Sequence, residues 1–258
     1  MSAGGDARLV LHQARYDIRT FVRDPAATFF TLVLPVVFLV LFVTIFGSQT
    51  LDSGVETTTY FVPGIVALAV VSATFVNLSI SLTQQRENGV LKRLRGTPLP
   101  PWIYIAGRVV TSVAVGLVMT VLLVAIGRLF YGVAVPGTAL AGFVVALVVG
   151  AAAFSALGIA ITRVISTEAA APAVANAISL PLFFISGIFV PAENIPDWLL
   201  SIADVFPLKP FADALFAAFD PATSGLGLAW GDLGAVALWG VAGALLAART
   251  FRWTPQRG

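Results

Sequence analysis

The sequence TTTYFVPGIVALAVVSATFVNLSISLTQQ at 57–85 contains no charged residue, and the basic segment RENGVLKRLRGTP follows it directly at 86–98. The first stretch is long enough to cross a bilayer, since a spanning helix needs roughly 20 apolar residues. The second cannot stay in the hydrocarbon, because Lys or Arg at mid-membrane costs about 2.5 to 3.5 kcal/mol on insertion scales. Together they predict a membrane-spanning helix that ends in a short basic segment in water.

The whole chain has the composition of a membrane protein. Of its 258 residues, 58% are hydrophobic and 11% are charged, and its mean hydropathy is +0.94. Water-soluble globular domains do not have this composition. Five further uncharged windows lie at 25–51, 109–127, 129–162, 169–192 and 233–248. The last window is short and must begin near Leu226 to span the bilayer.

We therefore predict an all-α polytopic membrane protein with six transmembrane helices. The chain 1–258 forms one membrane domain: an amphipathic interfacial helix at 1–24, a six-span bundle at 25–248 and a cytoplasmic tail at 249–258. With six spans, 13 of the 15 basic residues fall on the side of the termini, and only Arg128 and Lys209 fall opposite. Because cytoplasmic loops carry the excess of Lys and Arg, both termini are predicted to be cytoplasmic.

The N-terminal residues 6–24 predict an amphipathic helix that lies along the membrane surface. Leu11, Ala14, Ile18 and Phe21 occupy one face, and basic side chains recur at helical spacing on another. Two interpretations stay open: a lipid anchor, and a helix that also contacts a cytoplasmic partner. The basic residues of this helix are Arg8, Arg15, Arg19 and Arg23.

The segment after the 57–85 window predicts a second, short helix. Gly89 permits a sharp bend, and the Gly-Thr-Pro sequence at 96–98 stops the helix that follows it. In that helix Leu91 and Leu94 would form an apolar ridge flanked by basic residues. Such a ridge fits a groove with an acidic rim on a protein partner. The alternative is that the basic side chains anchor the segment at the lipid surface.

Residues 191–219 are apolar but interrupted by prolines. Pieces this short cannot span a membrane, yet as a simple external loop they would expose much apolar surface to water. We expect short helices that lie in or dip into the outer leaflet.

Several features inside the windows bear on packing and transport. Asn77 and Asn176 either hydrogen-bond between helices or contact a substrate. Pro35, Pro172 and Pro181 predict kinks in the first and fifth spans. Small residues in the fourth window predict a close approach of neighbouring helices; they are Gly142, Ala146, Gly150, Ala151, Ser155 and Gly158.

The sequence lacks the residues that several kinds of chemistry require. A P-loop needs Gly-x-x-x-x-Gly-Lys-Ser/Thr, and neither lysine of the chain has that context. There is no cysteine, and His12 is the only histidine, so no metal site is expected. The windows lack the buried ionisable relay that proton-driven carriers usually use. We predict no catalytic residue, no metal ligand and no cofactor bound by this chain, and the sequence does not specify the substrate-binding residues.

Two motifs resemble those of one family, the permease subunits of type-2 ATP-binding cassette (ABC) exporters. Their Glu-x-Gly-x-Leu-x-x-Leu-x-x-Thr-Pro pattern is matched in register at 87–98, and their later Gly-Lys pair appears as Gly107-Arg108. A second match runs from Leu180 to Pro191 and on to Phe206-Pro207-Leu208. The overall likeness is nearest to the daunorubicin and doxorubicin resistance branch.

The resemblance implies roles for particular residues. It assigns contact with a separate ATPase to Glu87, Gly89, Leu91, Lys92, Arg93, Leu94, Arg95, Thr97 and Pro98. It also implies short re-entrant helices in an external hairpin marked by Gly187, Pro191, Pro196, Trp198 and Pro207.

The resulting hypothesis is a permease that exports a hydrophobic or amphipathic compound, such as a drug or a lipid-like molecule, from the cytoplasm or inner leaflet of a bacterial plasma membrane. It would act as a homodimer, or with a closely related second permease, together with two copies of an ABC ATPase subunit that bind ATP and Mg. No nucleic acid is expected as a partner. The alternatives are a gradient-driven transporter or channel, and ABC export of a polysaccharide or lipid-linked glycan.

Overall fold

The computed structural model describes residues 3–46, 56–97, 100–223 and 225–254. Its α-helices are α1 (Ala3–Val22), α2 (Pro25–Thr28), α3 (Leu34–Phe46), α4 (Thr57–Val71), α5 (Asn77–Glu87), α6 (Val90–Arg95), α7 (Pro101–Tyr131), α8 (Leu140–Ile161), α9 (Ala170–Ile185), α10 (Asp197–Ala203), α11 (Leu208–Phe219) and α12 (Trp230–Thr250). Two π-helical turns, Phe29–Val33 and Ser72–Val76, join α2 to α3 and α4 to α5. The prediction of an all-α chain is confirmed for the described residues.

Four helices in the described part of the chain are long and apolar enough to cross a membrane. They are Thr57–Glu87, which combines α4 and α5, Trp102–Tyr131, Leu140–Ile161 and Trp230–Thr250. Two further apolar helices, Thr31–Phe46 and Ala170–Ile185, are shorter. The window at 169–192 therefore gives a shorter helix than expected, whereas the window at 25–51 is helical from Pro25 to Phe46.

Local sequence accounts for several of these boundaries. α9 ends at Ile185, and Gly187 then takes a φ of +81° that side chains with a Cβ rarely adopt. Residues 47–51 of the first window lie outside the described part. The last window extends upstream as predicted but begins at Trp230, four residues after Leu226, and Asp232 lies in its first turn. α7 ends at Tyr131, and residues 132–139 separate it from α8.

One boundary was predicted wrongly for a physical reason. The third window begins at 109 because it contains no charged residue, whereas α7 begins at Pro101 and buries Arg108 within its length. Its charge is accommodated by a carboxylate on α1, described below. A basic residue therefore lies inside this helix instead of marking its end.

The main core lies where α4, α8 and α11 meet. Phe61 and Ile65 of α4 are fully buried, as are Phe211 and Leu215 of α11. The Tyr60 hydroxyl donates a hydrogen bond to the carbonyl oxygen of Gly187, which ties α4 to the segment after α9. These contacts make α11 part of the bundle interior instead of a surface loop.

The small residues of α8 permit this packing, as predicted. A Cβ added to Gly150 would lie 2.2 Å from the Phe211 ring, and one added to Gly158 would lie 3.0 Å from the carbonyl oxygens of Thr74 and Phe75. Backbone and ring approach α8 more closely than any side chain would allow.

We expect Gly150→Ala to destabilise the fold by about 1–3 kcal/mol, because the new methyl group must displace a ring that is itself tightly packed. Gly234→Ala in α12 is the matched control, since its added Cβ would meet no atom within 4 Å. Thermal unfolding of the two purified variants in detergent makes the comparison. Equal stability would show that Phe211 is not held against α8.

Candidate coupling surface and open cavity

The basic segment after α5 folds as a bent helical hairpin. α5 ends at Glu87, Gly89 takes a φ of +69°, and α6 then runs from Val90 to Arg95. The Thr97 hydroxyl donates a hydrogen bond of 2.7 Å to the Leu94 carbonyl oxygen and so closes the end of α6. The short helix predicted after Gly89 is therefore present, whereas Pro98 lies outside the described residues.

The apolar side of α6 faces inward, which corrects the predicted ridge. Leu91 is 0% exposed and packs in a second core with Leu82, Tyr104 and Ile159. Leu94 is partly buried and packs against the same core. These leucines were expected to enter a groove on a partner. Leu91 is instead covered by apolar residues of α5, α7 and α8, while a role of the two leucines in contact with an ATPase stays a prediction.

The side of α6 that remains available to a partner is polar. Lys92 and Arg93 are exposed, as are Gly96 and Thr97 beyond the helix, and Glu87 is partly buried. The side chain of Arg95 is not among those described. We call Lys92, Arg93, Gly96 and Thr97 the α6 outer face.

Arg86 anchors this hairpin to α8 and was missed by sequence reasoning. Its side chain is 1% exposed, and its Nη1 donates a hydrogen bond of 2.7 Å to the carbonyl oxygen of Thr162, just after α8. Its Nη2 donates to the carbonyl oxygen of Ile165, and its Nε lies 2.8 Å from Glu87 Oε1. A cation at the C-terminal end of a helix also interacts favourably with the helix dipole. In the sequence, the only sign of this role is that Arg86 is the first charged residue after an uncharged window.

The N-terminal helix is attached to α7 by a buried ion pair. Arg108 Nη1 lies 3.3 Å from Asp17 Oδ1, which also accepts a hydrogen bond of 3.2 Å from Gln13 Nε2. A Cβ added to Gly107 would lie 2.7 Å from Gln13 Cγ, so glycine permits the two helices to touch. The Gly107-Arg108 pair therefore holds α1 against α7. Burial raises the pKa of the Asp17 carboxyl, while the nearby Arg108 and Gln13 lower it.

The apolar face predicted for α1 is only partly covered by the rest of the chain. Ala14 is buried and Phe21 partly buried, but Leu11 and Ile18 are 68% and 38% exposed. The basic residues at 8, 15, 19 and 23 are all exposed. α1 thus covers α7 with a strip that includes Asp17, and it presents both basic and apolar side chains outward.

A cavity of about 700 Å³ that opens to the surroundings lies between α1, α3, the α4–α5 helix, α7 and α9. Asn77 and Asn176 both line it, as do Pro35 and Pro172. The two asparagines, whose roles were left open between packing and substrate contact, therefore face one space. Its volume lies in the range of sites for small molecules.

The hairpin residues singled out from the sequence lie around α10 and α11. Gly187 and Pro207 are buried, Pro191 is partly buried, and Pro196 is exposed at the start of α10. Trp198 is 65% exposed. These hairpin residues lie in one region of the structure, but their side chains do not meet at a single site.

Comparisons with known proteins agree with this architecture. Residues 9–219 match the family model described as ABC-2 type transporter. The chain is similar to the "Probable multidrug ABC transporter permease YbhR" of Escherichia coli (strain K12), with 27% identity over 154 residues that cover 60% of this chain and 42% of the relative. The chain therefore matches less than half the length of that relative.

A second relative is matched over more of its length. The "Daunorubicin resistance ABC transporter permease protein DrrB1" of Streptomyces coeruleorubidus is 30% identical over 199 residues, which cover 75% of this chain and 69% of the relative. Since the family model covers most of the chain, the conclusion follows directly: the chain belongs to the ABC-2 type transporter family.

Proposed function

We propose that this chain is the permease subunit of an ATP-driven exporter, and that a separate ABC ATPase binds the α6 outer face. The proposal rests on how the chain holds α6 in place. Its inner side is fixed by Leu91, and Arg86 ties the preceding residues to the end of α8, while Lys92 and Arg93 remain exposed. A rigid, basic surface suits contact with an acidic groove and can transmit force.

The proposed transport cycle uses two permeases and two ATPase subunits, which hold ATP and Mg. The ATPases close on ATP, push on α6 and α1, and tilt the permeases about their shared interface. The second core, in which Leu91 of α6 packs, includes residues of α5, α7, α8 and α12, so these helices move together with α6. The permease partner is a second copy or a closely related chain.

We place both termini in the cytoplasm of a bacterium and count α3 and α9 as the first and fifth of six spans. The distribution of basic residues supports this orientation. A hydrophobic or amphipathic compound enters the cavity from the cytoplasm or inner leaflet and leaves between these two helices. Phe38 of α3 and Phe184 of α9 both line the cavity, which supports an apolar substrate.

We also propose that α10 and α11 are re-entrant from the outer side. The rings of Phe211 and Phe154 lie 5.4 Å apart near the middle of α8, whereas those of Phe219 and Phe143 lie 5.3 Å apart near its start. Eleven residues of α8 separate the two contacts, about 16 Å at 1.5 Å per residue. α11 therefore runs alongside half of a predicted span.

The test reverses the charge of the α6 outer face. We expect Lys92→Glu with Arg93→Glu to reduce the ATPase that copurifies with the tagged chain by about tenfold or more, because like charges then face each other across the contact. Copurifying ATP hydrolysis and drug resistance of the cells are the two measurements. Arg249→Glu is the matched control, since Arg249 is exposed at the end of α12. Undiminished copurification would refute the α6 contact.

One observation favours a second candidate, a gradient-driven carrier. Lys209 and Asp213 form an ion pair on α11, and Lys209 is 9% exposed and lies two residues from Phe211 in the core. This pair lies between the fifth and sixth windows, so the expectation that the windows themselves lack an ionisable relay is unaffected. Buried ionisable groups are what proton-driven carriers need. Transport that stops with an uncoupler but continues without ATP would select this candidate.

A further inference from the structure

We propose that the residues directly after α12 position α6 for contact with the ATPase, and that Trp253 is the residue that closes the second core beneath α6. This deepens the proposed function and rests on it, because the ATPase is the partner that α6 would meet. Trp253 lies outside the α6 outer face, so its role is to hold α6 and not to bind the partner.

The segment after α12 leaves the helix in an extended conformation. α12 ends at Thr250, and Phe251 has a φ of −60° and a ψ of 129°. Side chains along an extended chain point alternately to opposite sides. Phe251 and Trp253 are accordingly partly buried, while Arg252 between them is exposed. The segment predicted as a cytoplasmic tail therefore begins with an inward aromatic side.

The two aromatic rings cover part of the second core. Their centroids lie 5.0 Å apart with an interplanar angle of 83°, an edge-to-face arrangement that aromatic pairs favour. The Trp253 ring centroid also lies 6.5 Å from that of Tyr104 in α7. Both Phe251 and Trp253 pack against the core that contains Leu91 of α6. The residues after α12 and the inner side of α6 thus share one core.

Tyr104 connects this aromatic pair to the residues that lead into α6. It is 3% exposed, and its hydroxyl donates a hydrogen bond to the side-chain oxygen of Gln85. Gln85 lies two residues before the end of α5 and directly precedes Arg86. Tyr104 therefore contacts both the end of α5 and the segment after α12, which links the last helix of the bundle to α6.

α6 depends on this core for its orientation. It has only six residues, and isolated helices shorter than about 12–15 residues are marginal in water. Among the described side chains of α6, only Leu91 is buried. A short helix held at one buried side chain becomes mobile when that core opens locally. The main core, which includes α11, does not contain Trp253 and need not open with it.

A tryptophan at the end of a membrane helix can instead anchor that helix at the lipid surface. Trp230, at the start of α12, is 73% exposed and fits that role. Trp253 is partly buried and contacts Tyr104. Of these two tryptophans at the ends of α12, only Trp253 packs against a core.

Amide hydrogen exchange of the full-length chain in lipid nanodiscs, without the ATPase, tests this role. We expect Trp253→Ala to speed exchange at residues 90–96 by about tenfold or more, while exchange in α11 stays within about twofold of the unmodified chain. Trp230→Ala is the matched control and should change exchange in neither segment. Exchange at residues 90–96 that stays within about twofold in Trp253→Ala overturns the proposal.

Further results separate positioning from general stability. Equal acceleration in α11 and at residues 90–96 would mean that Trp253 only stabilises the whole chain, which contradicts the proposal. Trp253→Phe keeps an aromatic ring and should exchange at residues 90–96 within about threefold of the unmodified chain. Exchange as fast as in Trp253→Ala would refute a role for the ring. If Trp253→Ala fails to fold, Trp253→Leu, which keeps an apolar side chain, replaces it in the same comparison.

Copurification then measures the consequence for the partner. We expect Trp253→Ala to reduce the copurifying ATPase by about tenfold, because a loosened α6 must be ordered again when it binds. Faster exchange with undiminished copurification would refute the proposed ATPase contact of α6. Unchanged exchange would refute the role of Trp253 whatever the ATPase does. The two failures are therefore observed separately.

Discussion

Arg86→Met is expected to destabilise the chain by about 3–5 kcal/mol, the largest effect of any single substitution of a charged residue considered for this protein. Methionine fills a similar volume but donates no hydrogen bond. The carbonyl oxygens of Thr162 and Ile165 would then lose the guanidinium that binds them at the end of α8. Unfolding in detergent, followed by heat or denaturant, measures the loss.

Two further variants make this result specific to the guanidinium. Arg93→Met removes an exposed basic residue seven positions away and is expected to change stability by less than about 0.5 kcal/mol. Arg86→Lys should be intermediate, because an ammonium group is a point charge without the planar fork that bonds two carbonyls at once. If Arg86→Met were as stable as Arg93→Met, the proposed anchor between α5 and α8 would be wrong.

Leu91→Asp is expected to cost at least about 3 kcal/mol, because it removes a buried aliphatic side chain and puts a carboxylate in an apolar core. Leu91 is 0% exposed and has Leu78, Leu82 and Tyr104 in its core cluster. The variant should express poorly and unfold at a lower temperature. Loss of export in Leu91→Asp would therefore report on folding and not on contact with an ATPase.

Lys92→Asp is the matched control, since it places the same carboxylate one residue later on the exposed side of α6. We expect its stability to be unchanged within about 0.5 kcal/mol, while association with the ATPase is weakened. A stable Leu91→Asp chain that no longer binds the ATPase would restore the interpretation of Leu91 as a ridge that enters the partner.

The sequence predicted those features that depend on local preference. Long uncharged windows indicated helices, and Gly89 indicated the bend before α6, because glycine adopts positive φ without a Cβ clash. The small residues of α8 indicated a close approach, which Gly150 and Phe211 confirm. In each case the reason lies within a few residues of the chain, so it can be read without knowing the neighbours.

Whether a site side chain faces a partner or the rest of the chain could not be predicted in the same way. Leu91 and Leu94 occupy one side of a helix of six residues, and nothing local states whether that side meets a partner or the chain itself. The answer came from Tyr104, Ile159 and Ala247, which lie on three other helices. A pattern of apolar residues specifies that a side chain is covered, not what covers it.

The sequence by itself determined a helical membrane chain, the short basic helix after Gly89 and the lack of P-loop residues, because each rests on composition or on adjacent residues. Only the tertiary structure decided that Arg86 binds carbonyls 76 and 79 residues away, that Arg108 is buried against Asp17, and that Asn77 and Asn176 share one cavity. The physical reason is desolvation: a charged or amide side chain taken from water needs partners, and their identity depends on which helices pack together.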